Sequence, residues 1–366
     1  MTSIQKKRQR LPAEVIYAAE LEHLEVADSR PRPPGWRLSP LAVEAFVLGD
    51  TAMGTAPKFV APRGVVTRVI VALATLRGAM LVGLPGTAKS WFSELLSAAI
   101  SGDSTLVVQG GAIQGVDQML YTWNQALLER DGPTPEALVP GPLLRGMQAG
   151  SMVRFEELAR CAPAVQDALL SVLSERMVTV PELPGEAGRI YAREGFNLIG
   201  TSNTQDKGVD SMSSALKRRL NFETVLPIAS IDDELAVVVR ETAKLLRGSG
   251  VEAEVDEDIL RALVTIFHEL RNGQSIDGRS TDRLASAVLS TAEAVTVAHA
   301  MGIYAYYYRE GRMLAEDFTR LLVGAAVKDN RTDLKRMNHY FETEVSLKDG
   351  PVWRDIYQSW KLQVKC

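Results

Sequence analysis

From Ser39 to about Leu226, short apolar runs alternate with stretches of helical period. The runs Ala79–Val82, Thr105–Val108, Met152–Phe155, Phe196–Ile199 and Phe222–Leu226 read as strands with helices between them, which predicts a parallel α/β sheet of five strands. Ser39, as an N-cap with Pro40 at the first helical position, opens one of those helices. Another runs from Trp91 to Ile100. Beyond Pro227 the strand-like runs stop. Helical period at Asp256–Arg271, Thr281–His299 and Ala315–Ala326 then predicts a smaller all-helical domain. In front of the core, residues 11–27 read as an amphipathic helix, and Ser29-Arg-Pro-Arg-Pro-Pro-Gly-Trp36 breaks it. The expected organisation is an N-terminal appendage and linker (1–36), an α/β core (37–228), a helical domain (229–345) and a tail (346–366).

Composition narrows the class. The 366 residues include 41 Lys+Arg and 45 Asp+Glu, a net charge of −4, so the basic excess that drives nonspecific nucleic-acid binding is absent and DNA or RNA is not an expected partner. With 46% hydrophobic residues the chain can bury a real core. Cys161 and Cys366 are too few and too far apart for a disulfide framework or a thiolate metal site, which suggests a reducing, cytoplasmic location. Acidic residues after the basic N-terminus exclude the apolar region of a signal peptide there. The most apolar stretch, Val65 to Gly86, is interrupted by Arg68 and Arg77, so no membrane span is expected. The tyrosines Tyr304, Tyr306, Tyr307 and Tyr308 read as core or interface packing rather than a base-stacking platform, since positive charge does not surround them.

The strongest chemical signal is Ala79-Met-Leu-Val-Gly-Leu-Pro-Gly-Thr-Ala-Lys-Ser90, a strand entering a glycine-rich turn and then a helix. Such a turn aims backbone amides at phosphate oxygens, a lysine reaches the β and γ phosphates, and the next hydroxyl binds Mg²⁺. Gly83, Pro85, Gly86, Thr87, Ala88, Lys89, Ser90 and Trp91 are therefore the candidate nucleotide-binding residues, with Ala88 standing where the strict pattern has glycine. A metal bridging the phosphates needs a carboxylate, and an attacking water needs a base. Ser151-Met-Val-Arg-Phe-Glu-Glu157 offers both at a strand end: Glu156 on the metal side and Glu157 toward the water. Glu156 is one methylene longer than the usual Asp, and Arg154 is an odd residue for a central strand. Asn203 ends another apolar strand, where its amide could bond the γ-phosphate or the water. Lys217, Arg218 and Arg219 crowd together before the fifth strand, either as a solvated face or as a charge offered to a neighbouring subunit's nucleotide. In Gly278-Arg-Ser-Thr-Asp-Arg283, Ser280 or Thr281 would cap a helix carrying Arg283 in its first turn, where a positive charge opposes the helix dipole. His23, His268, His299 and His339 have no metal-ligand spacing.

In order, these elements resemble the AAA+ ATPases, specifically the MoxR family, over about residues 40 to 345. The resemblance also rests on Pro140-Gly-Pro-Leu-Leu-Arg145, Phe155-Glu-Glu-Leu-Ala-Arg160, Pro163-Ala-Val-Gln-Asp-Ala-Leu-Leu170 and Ser174-Glu-Arg-Met-Val-Thr179. It implies Walker A at Lys89 and Ser90, Walker B at Glu156 and Glu157, and sensor 1 at Asn203. It further implies an arginine finger at Arg219, with Arg218 or Arg160 as neighbours, and sensor 2 at Arg283. The family has Asp-Glu where this chain has Glu156-Glu157, and Pro where it has Asp282. Two inserted loops are implied, at Gly110–Asp117 within the second helix and as a hairpin over Val178–Tyr191. By this resemblance the chain is a Mg²⁺-dependent ATPase that assembles as a homo-oligomeric ring, a hexamer, with each nucleotide between one subunit's core and the next subunit's finger. It would remodel or activate a client or adaptor protein, such as one with a von Willebrand A domain. The alternative is a nucleotide-gated interaction module that binds ATP with little or no hydrolysis.

Overall fold

The computed structural model describes residues 10–204, 212–281, 284, 289–327 and 331–363. The chain divides into two compact units, one of Met1–Gly83 with Ala88–Val225 and one of Leu84–Thr87 with Leu226–Cys366.

The first unit begins with helices α1 (Ala13–Ile16), α2 (Ala18–Ala27), α3 (Pro40–Leu48) and α4 (Arg63–Leu73). Strand β1 (Gly78–Gly83), helix α5 (Lys89–Ser101) and strand β2 (Val107–Gln109) follow. A small antiparallel pair, β3 (Tyr121–Trp123) and β4 (Leu138–Pro140), flanks α6 (Gln125–Asp131). Then come α7 (Pro142–Ala149), β5 (Met152–Glu156), α8 (Pro163–Glu175) and the hairpin β6 (Met177–Thr179) and β7 (Arg189–Tyr191). Strand β8 (Asn197–Asn203), α9 (Ser214–Lys217) and β9 (Leu220–Thr224) complete it. The five-stranded sheet is parallel, in the order β2-β5-β8-β1-β9, as the alternation of apolar runs predicted.

Strand alternation builds one core on each face of this sheet. Ala79, Leu81, Met152 and Ile199 pack with Phe46, Ile70, Phe92 and Leu96 of α3, α4 and α5. On the other face Met80, Val153, Phe155, Leu198 and Leu220 pack with Leu144 and Met147 of α7 and Leu169 and Val172 of α8. The buried Asn197 side chain donates to the carbonyls of Leu73, Thr75 and Arg77, each at 3.0 Å, and ties the start of β8 to the turn before β1.

Several expectations change. The N-terminal segment, read as an appendage, forms two helices parted at Tyr17, and Ala13, Leu21, Leu24 and Trp36 are buried in the core beneath α3 and α5. The last strand lies at Leu220–Thr224 rather than Phe222–Leu226; it pairs with β1 alone, and as an edge strand it leaves Phe222 exposed. The insertion expected over Gly110–Asp117 is larger, because the β3-α6-β4 arm lies ahead of α7 rather than inside a helix.

The second unit contains α10 (Ile231–Gly248), α11 (Glu257–Asn272), α12 (Thr291–Tyr308), α13 (Ala315–Ala326), α14 (Arg331–Thr343) and α15 (Pro351–Gln363). Leu263, Phe267, Met301, Phe318, Phe341 and Trp360 are among the side chains of its core, so α15, read as part of a tail, contributes to that packing. The helix expected at Thr281–His299 begins at Thr291 instead. Ser290 and Glu293 form a reciprocal capping box there, after Leu289 at φ +45°, and the helix runs on to Tyr308. The tyrosines expected as packing groups therefore end α12, with Tyr306, Tyr307 and Tyr308 exposed. Arg271 and Glu234, both buried, pair at 2.7 Å, and Arg271 also bonds the Leu289 carbonyl. Among the described residues no helix is long and apolar enough to cross a membrane.

Candidate functional site

The carboxyl ends of β5, β8 and β1 lie side by side, and Glu156, Asn203 and Gly83 end those strands. Gly83 ends β1 and stands in register with Asn203, the last residue of β8. The turn after Gly83 contains Pro85, Gly86 at φ +75°, and Thr87, whose hydroxyl donates to the Leu84 carbonyl at 3.0 Å. Ala88 takes the left-handed conformation (φ 60°, ψ 28°) as the N-cap of α5. Glycine would occupy that region freely, so alanine holds the same turn at a cost of roughly 1 kcal/mol. Lys89 is buried and its Nζ donates to the Gly83 carbonyl at 3.2 Å, across the mouth of the turn. Such a turn, leading into a helix N-terminus with its positive dipole end, is suited to hold an anion.

Ser90 reaches toward β5. Its Oγ donates to Glu156 Oε2 at 2.6 Å, which joins the first turn of α5 to the end of β5. Thr201 Oγ1 donates to the same oxygen at 2.7 Å, while Ser93 Oγ and Arg154 donate to Oε1 at 2.8 Å and 2.9 Å. Burial alone would raise the Glu156 pKa, but the Ser90 hydroxyl, the Arg154 charge, Thr201 and Ser93 outweigh it and hold the carboxyl below its usual range. Glu156 is therefore a carboxylate at neutral pH, and the stability it contributes is lost only as pH falls through its lowered pKa. Among the described residues no three His, Cys, Asp or Glu side chains converge on a metal-sized site. A hydroxyl and one carboxylate in contact instead suit a hard cation that brings phosphate oxygens and waters of its own.

Glu157 follows in the left-handed region (φ 54°, ψ 43°), an uncommon conformation for a non-glycine residue and one that concentrates at functional sites. Its N–H donates to Thr201 Oγ1 at 3.0 Å, and its Oε2 accepts from Arg160 at 2.9 Å. Thr201 thus braces both glutamates. Arg218 is exposed at the end of α9, whereas Arg219 is half-buried, with Nε bonded to Ser174 Oγ and NH1 to the Ala215 carbonyl at 2.9 Å. The indole N–H of Trp91 is engaged by the Lys58 carbonyl at 3.1 Å, so its side chain serves the packing of α5 rather than the loop. Arg283 and Asp282 lie outside the described residues.

The sequence reading missed Thr201 and Ser93 as site residues. The signal for both was polarity at a fixed period: Thr201 lies two residues before Asn203 on β8, and Ser93 lies one helical turn after Ser90.

Residues 78–220 match the family model of the AAA domain, dynein-related subfamily, and residues 232–363 match that of the YehL-like AAA+ ATPase C-terminal domain. The uncharacterized protein YehL of Escherichia coli strain K12 is 50% identical over 352 residues, 96% of each chain. The uncharacterized protein YojN of Bacillus subtilis strain 168 is 23% identical over 265 residues, 70% of this chain and 79% of that one. Among solved structures, NtrX from Brucella abortus in complex with ADP shares the fold at a TM-score of 0.52 and 13% identity, over 84% of this chain and 65% of that one. With every second residue shared with YehL along nearly its whole length, the chain belongs to the YehL family of AAA+ ATPases.

Proposed function

We propose that this chain binds and hydrolyses Mg-ATP at the ends of β1, β5 and β8. The observation that carries this reading is the 2.6 Å bond between Ser90 Oγ and Glu156 Oε2, which sets two hard oxygen ligands beside a loop shaped for phosphates. The ADP held by NtrX, whose fold is shared, supports a nucleotide as the ligand. In this reading the amides after Gly83 and the Lys89 ammonium would bind the β and γ phosphates, and Ser90 and Glu156 would hold the metal. A bound Mg²⁺ would neutralise charge on the β and γ oxygens. Glu157 accepts the proton of the attacking water, Asn203 orients that water, and Arg283 contributes at the γ-phosphate.

Arg219, with Arg218 beside it, acts on the nucleotide of a neighbouring copy, so the active form is a homo-oligomeric ring, a hexamer, of the MoxR type. Nucleotide-dependent movement would remodel or activate a client, such as a protein with a von Willebrand A domain. Lys89→Ala removes one charge-assisted phosphate contact and is expected to weaken ATP binding about 10- to 100-fold, measured by titration with a fluorescent ATP analogue. Unchanged affinity would contradict the assignment of the loop. Wild-type protein that binds ATP tightly yet turns over none would instead support a nucleotide-gated interaction module, a reading to which the Glu157–Arg160 ion pair is suited.

A further inference from the structure

Arg154 bonds both of the residues assigned above to the metal, although it is itself neither ligand nor base. It points from β5 toward α5 and is 7% exposed. Its NH2 donates to the Glu156 carboxylate and to the Ser90 carbonyl, each at 2.9 Å. Its Nε donates to Ser93 Oγ at 3.0 Å and its NH1 to the Ser104 carbonyl at 3.1 Å, with Glu94 at 3.6 Å. Glu94 is in turn anchored by the Ala13 N–H at 3.2 Å and by Arg10 at 2.6 Å.

We propose that Arg154 is a positioning residue, which locks the Glu156 carboxylate and the first turn of α5 into one unit so that Ser90 Oγ and Glu156 Oε2 face a divalent cation together. The proposal rests on the reading of this site as a Mg-nucleotide site. Three physical points lead to it. A glutamate has one more rotatable bond than the aspartate usual at this place, and a side chain that must present one oxygen needs its other oxygen held. The fork of Arg154 meets four acceptors in fixed directions, which the three rotating donors of Lys do not. A buried ion triad is also a poor source of stability compared with apolar packing, so its presence between the two metal-side residues is better explained by the geometry it imposes.

The test uses the full chain and a fluorescent ADP analogue, with affinity measured in Mg²⁺ and again in EDTA. The readout is the gain in affinity that Mg²⁺ confers. Arg154→Met is expected to reduce that gain about tenfold or more while affinity in EDTA stays within about twofold. Arg154→Lys keeps bulk and charge but loses the fork; it is expected to lose most of the gain as well, and it decides the question if Arg154→Met does not fold. A gain preserved in the folded variant, or an equal loss of affinity in EDTA and in Mg²⁺, would overturn the proposal, the second outcome marking Arg154 as structural only. Wild-type protein that binds no nucleotide in either condition would overturn the functional reading itself, and this proposal with it.

Discussion

Arg219→Ala is expected to lower ATP turnover about 10³-fold or more at saturating ATP while leaving nucleotide affinity within about twofold. A charge brought to the γ-phosphate from a neighbouring subunit acts where negative charge builds up in the transition state, so it contributes to the rate far more than to ground-state binding. The structure gives Arg219 two anchors, Ser174 Oγ and the Ala215 carbonyl, that fix its guanidinium at the end of α9. Arg218 next to it is exposed. Steady-state turnover beside analogue binding separates the two residues: loss of turnover in Arg218→Ala with normal turnover in Arg219→Ala would move the finger by one residue. Normal turnover in both would contradict a finger in this segment.

Glu157→Gln is expected to slow hydrolysis about 10²- to 10⁴-fold with ATP affinity retained, read by single-turnover hydrolysis of bound ATP. Glutamine keeps the size of the side chain and can still accept from Arg160, but it cannot take a proton. The main chain at Glu157 is held left-handed by the bond of its N–H to Thr201, so the substitution leaves the backbone brace in place. Because Glu156 lies on the other side of Thr201 with its own four donors, it is not a ready substitute base. Unchanged hydrolysis in Glu157→Gln would place the base elsewhere.

The residues that sequence alone made legible are those whose role is local. β1, β5 and β8 are apolar runs closed by glycine or polar residues, and the loop from Gly83 to Ser90 announces itself by its glycines and the Lys-Ser pair at a helix start. The site's second layer was not legible, because it depends on register between elements far apart in the chain. Ser90, Ser93 and Glu94 share one face of α5, and Arg154 and Glu156 share one face of β5, yet only the packing of those two faces turns an out-of-place arginine into the partner of both. Edge strand β9 was misplaced because its exposed Phe222 carries the apolar signal while buried Leu220 begins the pairing. The start of α12 was misplaced because the apolar period continues back past Ser290, and the capping box formed with Glu293 outweighs it. Ala13, Leu21 and Leu24 are buried although they precede the proline-rich break, which signals a change of direction rather than a separate body.

In the proposed reading the active site is completed between copies of this chain. Mg-ATP turnover per subunit, measured across about a hundredfold range of protein concentration that spans assembly as followed by light scattering, tests it most directly. The account predicts a rate per subunit that climbs with assembly and saturates. A rate per subunit that stays constant while the scattering mass changes would contradict it, because each subunit would then carry a whole site.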